Sequence, residues 1–210
     1  MANMAEISQQ LQQGKAKVVK ELVQAALDEG VSPKVILEEG LLAGMSVVGE
    51  KFKKNEVFVP EVLIAARAMN MGTQVLKPYL VAEGVQTKGT VVIGTVQGDL
   101  HDIGKNLVRM MLEGKGLTVV DLGVDVSPEK FVDSAIENDA GVICCSALLT
   151  TTMNKMKDVV DLVNARNLRG KLKIMVGGAP VTQAFCDSVG ADCYTPDAAS
   201  AADAAMAFFA

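Results

Sequence analysis

Tryptophan is absent from this 210-residue chain, tyrosine occurs twice, and histidine occurs once, at position 101. Lysine and arginine together number 20 against 25 aspartates and glutamates, and no basic stripe runs along the sequence. We therefore expect neither nucleic acid nor an anionic membrane surface as a partner. No apolar run is long enough to span a bilayer, and the polar N-terminus lacks the apolar segment of a signal peptide. These absences favour a cytoplasmic protein.

Cysteine is also scarce, with two of the four residues adjacent and no Cys-x-x-Cys spacing. They are Cys144, Cys145, Cys186 and Cys193. This pattern indicates free thiols in a reducing compartment, and argues against a disulfide framework or a zinc site. Half of the residues are apolar, so the chain can bury a sizeable core although it has few aromatic side chains.

The first 83 residues contain only helical patterns. Apolar side chains at helical spacing predict helices at about residues 5–13, 15–29, 33–54 and 60–80. Ser32-Pro33 reads as an N-cap followed by a proline at the first helical position. Because the connections are short, we predict a four-helix bundle domain at residues 1–83.

Residues 84–89 are polar and contain two glycines, so we place a linker there. From residue 90 onwards, short β-branched runs alternate with helical patterns. They predict strands at 90–96, 118–122, 142–145, 172–176 and near 193–194, and helices that include 152–167 and 180–189. The fold class is therefore α/β, in which a helical bundle precedes a five-stranded parallel, doubly wound domain at residues 90–210. This second domain is Rossmann-like, of the flavodoxin type.

The single histidine follows the first predicted strand, in the segment Gly98-Asp99-Leu100-His101-Asp102-Ile103-Gly104. Open α/β sheets bind ligands at the carboxyl ends of their strands, and imidazole is a common metal ligand that a carboxylate can orient. Taken alone, the segment also fits a histidine that caps a helix or fills a loop. Small and hydroxyl residues follow the third and fourth strands, which predicts a narrow pocket at the same edge.

Three sequence blocks together resemble the cobalamin-binding proteins of corrinoid-dependent methyl transfer. Their fingerprint is Asp-x-His-x-x-Gly, then Ser-x-Leu, then Gly-Gly. Here 41 residues separate Gly104 from Ser146, and 28 separate Leu148 from Gly177. Residues 40–70 resemble the helical cap of this family, which also includes the cobalamin domain of methionine synthase. The segments SALLTTTM and MVGGAPVTQ are most similar to corrinoid proteins for methylated amines.

The resemblance implies a cofactor and a role for individual residues. His101 would coordinate cobalt in place of the cofactor's own benzimidazole (base-off, His-on), with Asp99 accepting the other imidazole N–H and Thr152 hydrogen-bonded to Asp99. Methionine synthase has a serine where this chain has Thr152. The implied cofactor-binding residues are Gly94, Asp99, His101, Asp102, Ile103, Gly104, Ser146, Leu148, Thr150, Thr152, Gly177, Gly178 and Tyr194, with Met45, Phe52 and Val59 from the helical cap. We interpret Lys105 and Asn106 as solvated.

The same resemblance implies a methyl-carrier subunit rather than a stand-alone catalyst. It would accept a methyl group from a substrate-specific methyltransferase acting on a methylated amine, methanol or an aryl methyl ether. A second methyltransferase would pass the group to tetrahydrofolate or a thiol, and a reductive activation protein would be a further partner.

Three other functions stay open at this point. The cobalamin-binding subunit of a carbon-skeleton isomerase would require a radical-generating barrel. A cobalamin-dependent regulator would require a basic DNA-binding motif and commonly has a tryptophan-bearing cap. A receiver domain without corrinoid would require an acidic cluster after the first strand. The chain shows no such barrel, has neither a basic bias nor tryptophan, and carries after its fourth strand a Gly-Gly pair that does not suit a receiver.

Overall fold

The computed structural model describes residues 3–83 and 87–210. These residues form two compact units, a helical unit containing residues 3–83 and 114–116, and an α/β unit containing residues 87–113 and 117–210. The predicted linker at 84–89 includes residues 84–86, which lie outside the described part. Within that part, no helix combines the length and hydropathy needed to cross a bilayer.

The helical unit consists of four consecutive helical rods. Its elements are α1 (Met4–Gln12), α2 (Ala16–Asp28), α3 (Pro33–Val35), a π-helical segment (Ile36–Leu42), α4 (Ala43–Lys53) and α5 (Val59–Ala82). The backbone keeps right-handed helical dihedrals at both ends of the π-helical segment. The segment and its neighbours α3 and α4 therefore form one continuous helix, as predicted at 33–54. The rods pack closely, since a Cβ on Gly72 would lie 2.8 Å from Leu41 and 3.2 Å from Val19.

The α/β unit contains one five-stranded sheet. Its elements are β1 (Thr90–Thr95), α6 (Ile103–Gly114), β2 (Thr118–Asp121), α7 (Pro128–Glu137), β3 (Val142–Ser146), α8 (Asn154–Ala165), β4 (Lys173–Gly177), α9 (Gln183–Val189), β5 (Cys193–Tyr194) and α10 (Ala198–Ala207). All neighbouring strands are parallel, in the order β2-β1-β3-β4-β5. This is the flavodoxin-type order, so the predicted fold class is confirmed.

Two predicted helices begin later than expected. We predicted a start at Pro180 for α9, but the helix begins after Thr182, whose hydroxyl accepts the backbone N–H of Phe185 at 3.2 Å. This N-cap satisfies a free donor of the first turn and leaves Pro180 in the preceding loop. The helix α8 begins at Asn154 instead of Thr152, because the preceding turn is closed by shorter-range bonds: Lys155 N–H donates to the Thr152 carbonyl oxygen at 2.9 Å and Met156 N–H to that of Met153 at 3.0 Å.

Strand register brings three loops to one edge of the sheet. Thr95 at the end of β1 pairs with Ser146 in β3, and Ser146 in turn pairs with Gly177 in β4. The chain segments that leave these three strands therefore start side by side. On one face of the sheet, buried strand residues pack against α7, α8 and α9, and the cluster includes Val92, Ile143, Ile174, Phe131, Met156 and Cys186.

Candidate functional site

A buried carboxylate is at the centre of the site. Asp99 lies in the loop after β1 and has no exposed surface. Five donors reach its two oxygens: His101 Nδ1 (2.7 Å) and His101 N–H (3.1 Å) on Oδ1, and Leu148 N–H (2.8 Å), Leu149 N–H (3.2 Å) and the Thr152 hydroxyl (2.8 Å) on Oδ2. Burial by itself raises the pKa of Asp99, but the hydrogen bonds from His101, Leu148 and Thr152 outweigh it and hold that pKa well below its usual range. The carboxylate is therefore ionised at neutral pH.

The carboxylate determines which nitrogen of His101 is free. An ionised carboxylate can only accept hydrogen bonds, so Nδ1 of the neutral imidazole carries the proton and Nε2 carries the lone pair. The His101 side chain is 50% exposed, whereas that of Asp99 is 0% exposed. The ring thus reaches from the buried carboxylate to the surface. A carboxylate that accepts the second N–H of an imidazole is the usual support of a metal-binding histidine.

The Thr152 hydroxyl donates one hydrogen bond, and two acceptors lie within its reach. Its hydroxyl lies 2.8 Å from Asp99 Oδ2 and 2.9 Å from the carbonyl oxygen of Leu149, but it can donate to only one of them. The carboxylate is the stronger acceptor, so we assign the hydrogen bond to Asp99. The hydrogen bond that the resemblance implied between Thr152 and Asp99 is therefore present. It ties the loop after β3 to the loop that holds His101.

Four large apolar side chains in the segments that follow β1 and β3 are exposed. Leu100 and Ile103 flank His101 in the sequence and are 72% and 78% exposed, while Leu148 and Leu149 are 44% and 42% exposed. Exposed apolar side chains of this size are common where a protein binds an apolar ligand. A half-exposed imidazole in the same segments fits a metal whose other ligands come from a macrocycle. Leu100 and Leu149 were not among the predicted site residues, since an exposed leucine in a loop carries no sequence signal.

The predicted pocket glycines differ in what surrounds them. A Cβ on Gly177 would meet nothing within 4 Å, so this position borders open space. Gly178 has a φ of +131°, and its Cβ would lie 1.9 Å from the carbonyl oxygen of Ala147. A Cβ on Gly94 would lie 2.9 Å from the Phe131 ring, so core packing accounts for this glycine. A place for Gly94 in the pocket stays a prediction.

The other implied residues of the α/β unit lie at or near the same edge. Ser146 and Tyr194 are partly buried at the ends of β3 and β5, and Thr150 is exposed in the loop after β3. Asp102 and Gly104 are exposed at the start of α6, where Asp102 accepts a hydrogen bond from Asn106 Nδ2 at 3.0 Å. Contacts of these residues with a cofactor stay a prediction.

The three residues implied in the helical unit differ in exposure. Met45 is 2% exposed, whereas Phe52 and Val59 are partly exposed. Little of the Met45 surface is therefore available to a ligand in this structure. A role for the three as cofactor cover stays a prediction.

The interpretation of Lys105 as solvated is wrong. Lys105 is 2% exposed, and its Nζ donates to Asp121 Oδ1 at 2.6 Å, to Asp121 Oδ2 at 2.7 Å and to Asn106 Oδ1 at 2.8 Å. Arg109 Nη1 donates to the same carboxylate at 3.2 Å. Burial raises the pKa of Asp121, but hydrogen bonds from Lys105 and Gly123 and the charges of Lys105 and Arg109 lower it overall. The pair links α6, directly after His101, to β2.

The cysteines are free thiols, three of them buried and Cys193 partly buried. Burial raises the pKa of Cys144 to about 12 and that of Cys186 to about 11. A thiolate is the nucleophilic form of cysteine, so these thiols are unreactive at neutral pH.

Comparison with known proteins identifies the family. Residues 89–205 and residues 4–77 each match a family described as a B12 binding domain. The chain is 46% identical over 187 residues to dimethylamine corrinoid protein 3 of Methanosarcina acetivorans, a match that covers 89% of this chain and 87% of that protein. The chain belongs to the B12-binding corrinoid proteins. The family resemblance drawn from the three sequence blocks is thereby confirmed, as is the cobalamin type of its cofactor.

Solved structures resemble this corrinoid protein over nearly its whole length. The methanol:cobalamin methyltransferase complex MtaBC of Methanosarcina barkeri gives a TM-score of 0.87 at 33% identity, covering 97% of this chain and 78% of that one. A cobalamin-binding protein of Desulfitobacterium hafniense DCB-2 gives a TM-score of 0.82 at 30% identity and covers 99% of both chains. These matches support the fold of both units.

Proposed function

We propose that this corrinoid protein carries a methyl group between two methyltransferases, with its cofactor bound base-off and His101 as the axial ligand. The observation that carries the proposal is the pairing of a half-exposed imidazole with a fully buried, five-fold hydrogen-bonded carboxylate at the carboxyl edge of the sheet. Because Nδ1 is bound to Asp99, Nε2 is the nitrogen of His101 that would bind cobalt.

Each part of the site contributes separately. A corrinoid supplies a cobalt centre that can accept and release a methyl group. Asp99 keeps the proton on Nδ1 of His101, which fixes the tautomer and increases the basicity of Nε2. The exposed leucine and isoleucine side chains of these loops offer apolar surface to a corrin ring, and the open space beside Gly177 offers room for the displaced nucleotide tail.

The relatives support the choice of donor and partners. One is named for dimethylamine, and a solved structure with the same fold is a methanol:cobalamin methyltransferase complex. We infer that a methyltransferase for a methylated amine is the first partner, with methanol and aryl ethers as other donors to be tested. A second methyltransferase acting on tetrahydrofolate or a thiol, and a reductive activation protein, complete the proposed system.

The sole histidine permits a specific test of ligation. The protein labelled with ¹⁵N-histidine is loaded with cobalamin and reduced to the cobalt(II) form for electron paramagnetic resonance. Histidine ligation converts the nitrogen triplet splitting of unlabelled protein into a doublet, and His101→Ala abolishes both patterns. A triplet that survives the labelling means that the benzimidazole remains bound, which would overturn the His-on proposal.

Replacing Asp99 tests its support of His101. Asp99→Asn removes the charge and places an amide donor among N–H donors, so we expect cobalamin affinity to fall about 10–100-fold. Asp158→Asn, in an exposed ion pair of α8 with Lys155, makes the same chemical change away from the site. Titration followed by absorbance measures both variants, and equal affinities for the two would contradict the role of Asp99.

Methyl transfer is tested with purified methyltransferases. The loaded protein is mixed with a dimethylamine or methanol methyltransferase and its substrate, and formation of the methylated corrinoid is followed by its spectrum. Transfer with the amine enzyme supports the proposed donor, whereas transfer with the methanol enzyme alone would replace it.

A further inference from the structure

A buried hydroxyl beneath the His101 loop is part of neither the sequence motif nor the Asp99 network. Thr95 is the last residue of β1, and its side chain has no exposed surface. Its Oγ1 donates a hydrogen bond to the carbonyl oxygen of His101 at 2.8 Å. A buried hydroxyl is costly unless it is paired, so this bond determines where the side chain points.

The backbone of Thr95 is held from both sides. Its N–H donates to the carbonyl oxygen of Gly123 at 3.0 Å, and its own carbonyl oxygen accepts the N–H of Val126 at 3.0 Å. On the other side it pairs with Ser146 in β3. Thr95 is therefore a fixed point of the sheet, and its hydroxyl has little freedom to follow a moving loop.

His101 is consequently held at two places by different parts of the structure. Asp99 binds the ring and the N–H of His101, and Asp99 is itself held by donors from the loop after β3, so this connection to the sheet passes through two loops. Thr95 binds the His101 carbonyl oxygen from the central strand. Only the second bond connects the histidine backbone directly to the sheet, and it acts at the point where the chain enters α6.

We propose that Thr95 is a positioning residue for axial ligation by His101. The inference rests on the proposed role of His101 as axial ligand. The hydroxyl fixes the backbone of His101, and thereby the position from which its ring presents Nε2. Without this hydrogen bond the loop samples other positions, so part of the binding free energy is spent on ordering the loop.

Thr95→Val tests the proposal because it replaces the hydroxyl by a methyl group of similar shape. Thr95→Ser retains the hydroxyl, and Thr90→Val makes the same change at the other end of β1. We expect the dissociation constant for aquacobalamin, measured by absorbance titration, to rise about fivefold in Thr95→Val, corresponding to about 1 kcal/mol. Thr95→Ser and Thr90→Val should remain within about twofold of wild type, a change of less than about 0.5 kcal/mol. A Thr95→Val affinity equal to that of Thr90→Val would refute the proposal.

A double-mutant cycle separates positioning from a general effect on the fold. In the His101→Ala background, Thr95→Val should cause no further loss of affinity, because the residue it positions is gone. An equal loss in both backgrounds would show that Thr95 acts on the fold alone and would overturn the proposal. Thr95→Ala repeats the cycle if Thr95→Val melts below the assay temperature.

The cycle also keeps this inference apart from the proposed function. If His101→Ala binds aquacobalamin as tightly as wild type, axial ligation by His101 fails and this inference fails with it. If His101→Ala binds more weakly but Thr95→Val does not, only the role of Thr95 is refuted. Electron paramagnetic resonance of the ¹⁵N-histidine-labelled cobalt(II) form gives a second readout. The fraction of the signal that shows the doublet splitting should fall in Thr95→Val and stay unchanged in Thr95→Ser.

Discussion

Two adjacent glycines at the end of β4 should respond in opposite ways to the same substitution. At Gly178 an added Cβ would lie 1.9 Å from the Ala147 carbonyl oxygen, and contacts shorter than 3.0 Å are essentially never observed for a real Cβ. The carbonyl or the β4 chain would have to move by more than about 1 Å. The φ of +131° is in addition one that side-chain-bearing residues rarely adopt. Gly178→Ala is therefore expected to disrupt the contact between the loops after β3 and β4.

The magnitude follows from these two effects. Backbone strain of this kind costs about 1–3 kcal/mol and overpacking about 1–3 kcal/mol, so the expected loss is about 2–6 kcal/mol. A unit of this size loses roughly 4 °C of Tm per kcal/mol, which gives a fall of at least about 8 °C. At Gly177, which borders open space and lacks a positive φ, alanine should instead leave the stability unchanged or raise it by up to about 1 kcal/mol.

Thermal unfolding of the cofactor-free protein, followed by circular dichroism, measures both variants. Gly177→Ala serves as the matched control, because it makes the same change one residue earlier. It should also weaken cobalamin binding if the open space beside it receives the nucleotide tail. A Tm for Gly178→Ala within about 2 °C of wild type, less than about 1 kcal/mol, would refute the packing argument. So would a larger loss in Gly177→Ala than in Gly178→Ala.

Two further predictions concern buried titratable groups. The folded-state pKa of Asp121 is lowered, so its pairing with Lys105 stabilises the protein above the ordinary carboxyl pKa of about 3.9, and this contribution is lost as the pH falls below that value. The difference in urea-unfolding free energy between wild type and Lys105→Met/Asp121→Asn should therefore shrink below about pH 4, and a difference that does not change with pH would contradict the assignment. Iodoacetamide near neutral pH should leave Cys144 and Cys145 unmodified in the native protein and label them after unfolding, because burial raises the pKa of both thiols. Mass spectrometry locates the label, and a label on either cysteine of the native protein would contradict this prediction.

Much of the fold could be predicted from local sequence signals. The β-branched run at β1 and the Ser32-Pro33 helix start each report on their own segment, and each element formed near its predicted position. The roles of the site residues came from the family resemblance, which the single histidine, its neighbouring aspartate and the glycine pair carry at fixed spacing. The structure shows the Asp99 network around His101, and contacts with a cofactor stay a prediction.

Other parts of the site depend on contacts between strands that no local pattern reports. Lys105 is one helical turn beyond His101, and only the pairing of β2 with β1 brings Asp121 beside it. Thr95 looks like any β-branched residue of a buried strand, and its importance becomes visible only when the chain folds back to place the His101 carbonyl oxygen above it. In both cases the polar group is buried, but its partner is distant in sequence or belongs to the backbone.

The buried charge of Asp99 explains why the ligand loop and the sheet cannot be considered separately. An ionised carboxylate with no solvent contact is tolerable only if donors surround it, and three of its five come from the segment that follows β3. That segment is in reach because Thr95 pairs with Ser146. A shift of that register by one residue would move the chain by about 3.3 Å and separate these donors from the carboxylate. The orientation of His101 is thus determined by the pairing of β1 with β3, and the same pairing holds the core together.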